Sequence, residues 1–136
     1  MPVHLKNLVV YEYEGYINKY LDESYAELLG SHIAYTSIDN NGYVVCCAGL
    51  MRTGKNRLEA WTLMSDNSGK HMFAITKRVL KEFNKLKNVR VEFYVRGDFK
   101  AGHKWAKMLK FLCETPNGME FYGEDAHTYY LYSRIF

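Results

Sequence analysis

The segment Asp39-Asn40-Asn41-Gly42 constrains this chain more than any other. It separates two apolar, β-favouring runs, His32 to Ile38 and Tyr43 to Met51. Asn-Gly tolerates the positive φ of a tight turn, so the two runs predict a β-hairpin. Arg52-Thr53-Gly54-Lys55-Asn56 turns the chain again, and Arg57 to Met64 reads as a third strand. Two such turns in succession predict a three-stranded antiparallel meander.

The flanking sequence adds helices. Leu5 to Tyr13 reads as an earlier strand. Ile17, Tyr20, Leu21, Tyr25, Leu28 and Leu29 then follow helical spacing and stop at Gly30. After the meander, Ser65 to Lys70 is polar and turn-rich, and Met72, Ile75, Thr76, Val79, Leu80, Phe83 and Leu86 keep a helical period. Val89 to Val95 alternates as a strand does, and Ala101, Trp105, Met108, Leu109 and Leu112 mark another helix. Met119 to Tyr122 and Thr128 to Tyr132 read as two short strands around Gly123-Glu124-Asp125-Ala126. The order β-α-β-β-β-α-β-α-β-β predicts an α/β (α+β) fold with a mixed, mostly antiparallel sheet flanked by helices. No repeat, low-complexity tract or linker interrupts it, and the only prolines are Pro2 and Pro116, so residues 1–136 are expected to form one domain.

With 48% hydrophobic and 24% charged residues, the chain has the means to bury a core, which excludes disorder as its main state. Its longest apolar run, Val44 to Ala48, is far short of the roughly 20 residues of a membrane span. No basic-then-apolar signal opens it, and the expectation is a soluble intracellular protein. The net charge of +3, concentrated between Lys70 and Lys110, is too small to indicate nucleic acid. Cys46 and Cys47 are strand neighbours pointing to opposite faces, and Cys113 stands alone, so reduced thiols are expected. His71 and His103 lack a third ligand, so no metal site is expected.

The connection from strand Arg57–Met64 to the next helix holds the most chemistry. A helix start offers unpaired N–H groups and a positive dipole end to a phosphate. Ser68 adds a hydroxyl, Gly69 admits close backbone approach and Lys70 adds a charge. The same residues also suit an ordinary capped strand-to-helix connection. The basic run Lys70, Lys77, Arg78, Lys81, Lys85 and Lys87 reads as a solvated helix face.

The element order, this loop and the helix–strand–helix run after it resemble the GCN5-related N-acetyltransferase (GNAT) family. More narrowly, Leu58-Glu59-Ala60-Trp61-Thr62-Leu63, Ser68-Gly69-Lys70-His71-Met72 and Gly102-His103-Lys104-Trp105-Ala106-Lys107-Met108-Leu109 look like small acetyltransferase-like proteins of tailed phages, including the internal virion protein A type. The resemblance implies acetyl-CoA as cofactor, with Leu63, Met64 and Ser65 facing its pantetheine arm and Ser68, Gly69, Lys70 and His71 around its pyrophosphate. It implies Glu59 as general base toward an amine. That role requires a partly buried carboxyl, whereas a Glu on a solvated strand face would have no such part.

The sequence departs from the family pattern at named places. The family loop carries Arg or Gln, a Gly, and a final small residue where this chain has Asp66, Gly69 and His71. The Tyr general acid and the Gly four residues after it fall on Ala106 and Lys110, which leaves Tyr94, Tyr122 and Tyr130 as replacement proton donors. Two functions follow. One is a phage-encoded, acyl-CoA-dependent N-acetyltransferase acting on an amine. The other is a catalytically inactive protein of the same fold, a virion component or binder of a host protein. The implied partners are acetyl-CoA and an amine, or a protein, with a homodimer as candidate assembly and no membrane. The implied location is the host cytoplasm or the virion.

Overall fold

The structure, a computed structural model, describes residues 33–136. The expected strand Leu5 to Tyr13 and helix Ile17 to Leu29 lie outside them. Six strands form one sheet: β1 (Ile33–Ile38), β2 (Val44–Gly54), β3 (Arg57–Met64), β4 (Arg90–Arg96), β5 (Leu112–Cys113) and β6 (Tyr129–Ile135). Their order across the sheet is β1-β2-β3-β4-β6-β5. Every neighbouring pair is antiparallel except β3–β4. Helix α1 (Met72–Phe83) follows a 3₁₀ turn at Gly69–His71 and links β3 to β4, and α2 (Lys100–Met108) follows β4.

The meander forms as its turns dictate. The Asp39 carboxylate accepts from the N–H groups of Asn41 at 2.9 Å and Tyr43 at 3.0 Å, while Gly42 takes φ +83°. That side-chain acceptor and that left-handed residue fix the first hairpin.

Both helices lie on one face of the sheet. Leu50, Leu58 and Val91 pack against Phe83 of α1 and against Ala106 and Leu109 at the end of α2, and Cys46 and Met64 pack with Ile75 of α1. The Trp105 indole donates to Thr76 Oγ1 at 2.8 Å and ties α2 to α1. Alternation along the strands puts Thr36, Cys47, Gly49, Glu59, Trp61, Leu63, Glu92 and Tyr94 on the opposite face. Cys46 and Cys47 therefore do point to opposite faces, and all three cysteines are free thiols.

The C-terminal third differs from expectation. The apolar spacing to Leu112 predicts a longer α2, but the helix ends at Met108 and Lys110 takes φ +64°. The Lys110 N–H donates to the Lys107 carbonyl and the Phe111 N–H to the Ala106 carbonyl, a Schellman stop. Leu112 and Cys113 then pair with Ser133 and Tyr132. The expected strand Met119 to Tyr122 is reduced to one bridge, Met119 with Tyr129. Phe121 has φ +53°, which breaks an extended run.

Candidate functional site

The parallel seam between β3 and β4 is short. It pairs Arg57 with Arg90, Leu58 with Val91 and Glu59 with Glu92, and beyond those residues the strands part. The Ser65 N–H donates to the Val45 carbonyl on β2 at 2.9 Å, and the Arg90 N–H donates to the Asn56 carbonyl at 2.8 Å. Backbone direction alternates along a strand, so Trp61, Leu63 and Ser65 turn their polar groups to β2, and Thr62 and Met64 turn theirs into the fork. The sheet gives these two residues no partner there. A cleft of about 740 Å³ occupies the fork and runs onto α1 and α2. Its walls include Glu59, Trp61 and Thr62 from β3, Tyr94 and Arg96 from β4, Lys70 and His71 from the turn before α1, and Trp105 from α2.

Glu59 stands at the base of the fork, half-buried. Its carboxyl is held above the ordinary carboxylate range, mainly by burial, then by the neighbouring Glu92 carboxylate, with Arg57 pulling the other way. Glu92 is itself paired with Arg90 at 2.9 Å and Arg57 at 3.5 Å. Two positions further along the same face, the strands carry Trp61 and Tyr94. The Tyr94 ring stacks on Tyr122 with centroids 5.2 Å apart, and its hydroxyl is pushed well above the ordinary phenol value by hydrogen bonding with Tyr122 and by burial. Of the three tyrosines singled out as proton donors, Tyr94 lines the cleft, whereas Tyr122 and Tyr130 are outside its lining, Tyr130 meeting His103 edge-on. His103 joins the Tyr132 hydroxyl at 2.8 Å and the Arg96 and Gly97 carbonyls at 3.1 and 3.2 Å.

The loop residues divide. Lys70 and His71 line the cleft. The His71 Nε2 is buried without a hydrogen-bond partner, and Lys70 has no ion pair among the described residues. Asp66 is exposed and outside the lining. Ser65 and Ser68 are buried in the loop, where the Ser65 hydroxyl donates to the Asn67 side chain and the Ser68 carbonyl accepts from His71 N–H at 2.9 Å. Leu63 and Met64 are buried, and of the residues expected to face a pantetheine arm only Met64 turns its backbone into the fork. Gly69 has open space where a Cβ would stand and no positive φ, so neither packing nor dihedral demands glycine.

Solved structures share this fold. A protein provisionally assigned as a phosphinothricin N-acetyltransferase superposes with TM-score 0.70 at 14% identity, over 99% of this chain and 96% of that one. The fold is that of the GCN5-related N-acetyltransferases. The ribosomal-protein-S18-alanine N-acetyltransferase of Escherichia coli matches with TM-score 0.61 at 13% identity, over 88% of this chain and 74% of its own. A GNAT-family acetyltransferase from Bacillus anthracis gives 0.60 at 11%, over 82% and 71%. No family model matches the sequence, and no curated protein matches it either.

Two features of the cleft suit the acetyl-CoA that the sequence resemblance implies. The fork presents unpaired backbone at Thr62 and Met64 for an amide-bearing arm. At the turn before α1, the orphaned His71 nitrogen and the Lys70 ammonium suit phosphate oxygens. Among the described residues no group of three His, Cys, Asp or Glu is placed to hold a metal, and no helix is long and apolar enough to cross a membrane. Sequence reasoning missed Thr62 and the Glu92 neighbour of Glu59, because both follow from register between strands distant in sequence.

Proposed function

We propose that this chain is an acyl-CoA-dependent N-acetyltransferase. The observation that carries the proposal is Glu59: a half-buried carboxyl raised toward neutrality at the base of a fork whose backbone is unpaired. When bound, acetyl-CoA supplies the acyl group as a thioester. Thr62 and Met64 would hold the pantetheine amides by their backbone groups. Lys70, His71 and the N–H groups at the start of the Gly69–His71 turn hold the pyrophosphate. Glu59 takes the proton that the acceptor ammonium must lose before its nitrogen lone pair attacks the acyl carbon. Tyr94, protonated at neutral pH, is a side chain on the cleft wall that would hand a proton to the thiolate as its C–S bond breaks and recover one from solvent.

A second reading, a non-catalytic phage protein that keeps the fold and binds a host or virion protein, draws on different residues. His71 fills a place the family keeps small, and Phe73 and Phe121 are 84% and 79% exposed. Calorimetric titration with acetyl-CoA separates the readings. The acetyltransferase predicts a Kd on the order of 10 μM, within the usual range for enzyme ligands, weakened at least tenfold by Gly69→Trp. A Cβ at Gly69 meets no neighbour within 4 Å, so the substitution starts from open space, and circular dichroism checks that the variant is folded. No binding heat at millimolar acetyl-CoA overturns the enzyme reading.

A further inference from the structure

Of the two tryptophans, one is satisfied and one is not. Trp105 donates its indole N–H to Thr76. The Trp61 Nε1 is buried and has no hydrogen-bond partner among the described residues. A buried N–H without an acceptor is costly, and native folds retain few of them. The edge of the Trp61 ring rests on Gly49, where a Cβ would stand 2.8 and 2.9 Å from ring atoms Cζ2 and Cε2. That close approach holds the ring against the sheet on the side of the cleft it lines.

Trp61 is two residues beyond Glu59 on the same strand face, about 6.6 Å along the strand. A molecule that offers its amine to Glu59 therefore extends past the indole. An oxygen on that molecule would satisfy the orphaned N–H once the ring swings slightly off its wall. The charge nearby decides which oxygen. Arg57 and Arg90 pair with Glu92, but Glu59 beside it has no ion pair among the described residues, so a carboxylate brought between Glu59 and Trp61 meets like charge. A neutral carbonyl does not.

We propose that the acceptor is an amine bearing a neutral carbonyl close to its nitrogen, the aminoacyl amide chemistry shared by amino-acid amides and peptide amino termini, with Trp61 Nε1 donating to that carbonyl. This inference rests on the acetyltransferase reading. Trp61 is a specificity residue in this scheme, and Glu59 performs the proton transfer.

The test has two readouts. In ¹H–¹⁵N spectra the two indole signals are assigned with Trp61→Phe, whose remaining Trp105 signal also reports that the variant is folded. Adding glycinamide or a tripeptide with a free amino terminus should move the Trp61 signal downfield and leave Trp105 in place, while n-butylamine should move neither. Glycinamide against tripeptide tells the small-molecule source from the peptide source. In acetyl transfer, Trp61→Phe should raise KM for the amide about tenfold, leave kcat nearly unchanged, and leave n-butylamine unaffected. Acetyl transfer with an equal effect of Trp61→Phe on both amines, or an indole signal that no amide moves, overturns the inference while the enzyme stands. Absence of acetyl-CoA binding overturns the enzyme reading first.

Discussion

Gly49→Ala is the sharpest probe of this architecture. Gly49 lies within β2, opposite Ala34 of β1 and Trp61 of β3. A Cβ there would stand 2.3 Å from the Ile33 carbonyl oxygen and 2.8 and 2.9 Å from the Trp61 ring. The ring can swing into the cleft. The oxygen belongs to the β1 backbone and moves only if the β1–β2 ladder moves with it. Adding a methyl group to a packed site costs about 1–3 kcal/mol, and the backbone clash places this substitution at the upper end, about 3 kcal/mol. For a domain of this size that corresponds to a fall in Tm of about 10 °C. Thermal and urea unfolding followed by circular dichroism measure it. The double variant Gly49→Ala/Trp61→Leu removes the ring clash and leaves the oxygen clash, so the cycle should show a favourable coupling of about 1 kcal/mol with most of the cost remaining. A single variant within about 2 °C of the parent would refute the close approach of β1 to β2 and the seating of Trp61 derived from it.

Other perturbations address the chemistry and the helix stop. Glu59→Gln should lower kcat by about 10²–10⁴, the range of general base catalysis. In the proposed mechanism the ionised carboxylate is the working form, so the rate should be present above its raised pKa and lost as pH falls through it. Because Glu92 contributes to that elevation, Glu92→Gln should move the acid limb of the pH–rate profile to lower pH, and an unmoved limb would show that Glu59 is not the group titrating. Lys110→Gly should stabilise the fold by about 1 kcal/mol in urea titrations, since Lys110 takes φ +64° at the end of α2, where only glycine sits without strain; a lower midpoint would contradict that geometry.

Much of this fold is legible in the sequence because its signals are local. Asp39 and Gly42 announce the first hairpin by their own chemistry, and strand Arg57–Met64 is bounded by turn residues on both sides. The end of α2 is not legible, because Leu112 keeps the helical spacing while Lys110 adopts a left-handed dihedral that its side chain does nothing to advertise. Met119 to Tyr122 has strand composition, but Phe121 at positive φ leaves a single bridge. Within the site, Glu59, Lys70 and His71 line the cleft. Which backbone faces the fork is set by register, and register is a tertiary property. The same holds for Trp61, whose missing partner appears only when every neighbour is in place.

The parting of β3 from β4 has a consequence for what this protein must guard against. An unpaired strand edge invites any extended chain to add itself, and proteins usually face this hazard at the outer margin of a sheet. Here such an edge lies in the middle, along Thr62 and Met64, between two halves of one sheet and beneath two helices. Under the proposed function, a thin, extended molecule with its own amide groups pairs with it, which would convert an aggregation liability into a filter on ligand shape. Hydrogen exchange should record this as a period of two along β3: the Trp61 and Leu63 amides locked into β2, the Thr62 and Met64 amides exchanging until a ligand pairs with them.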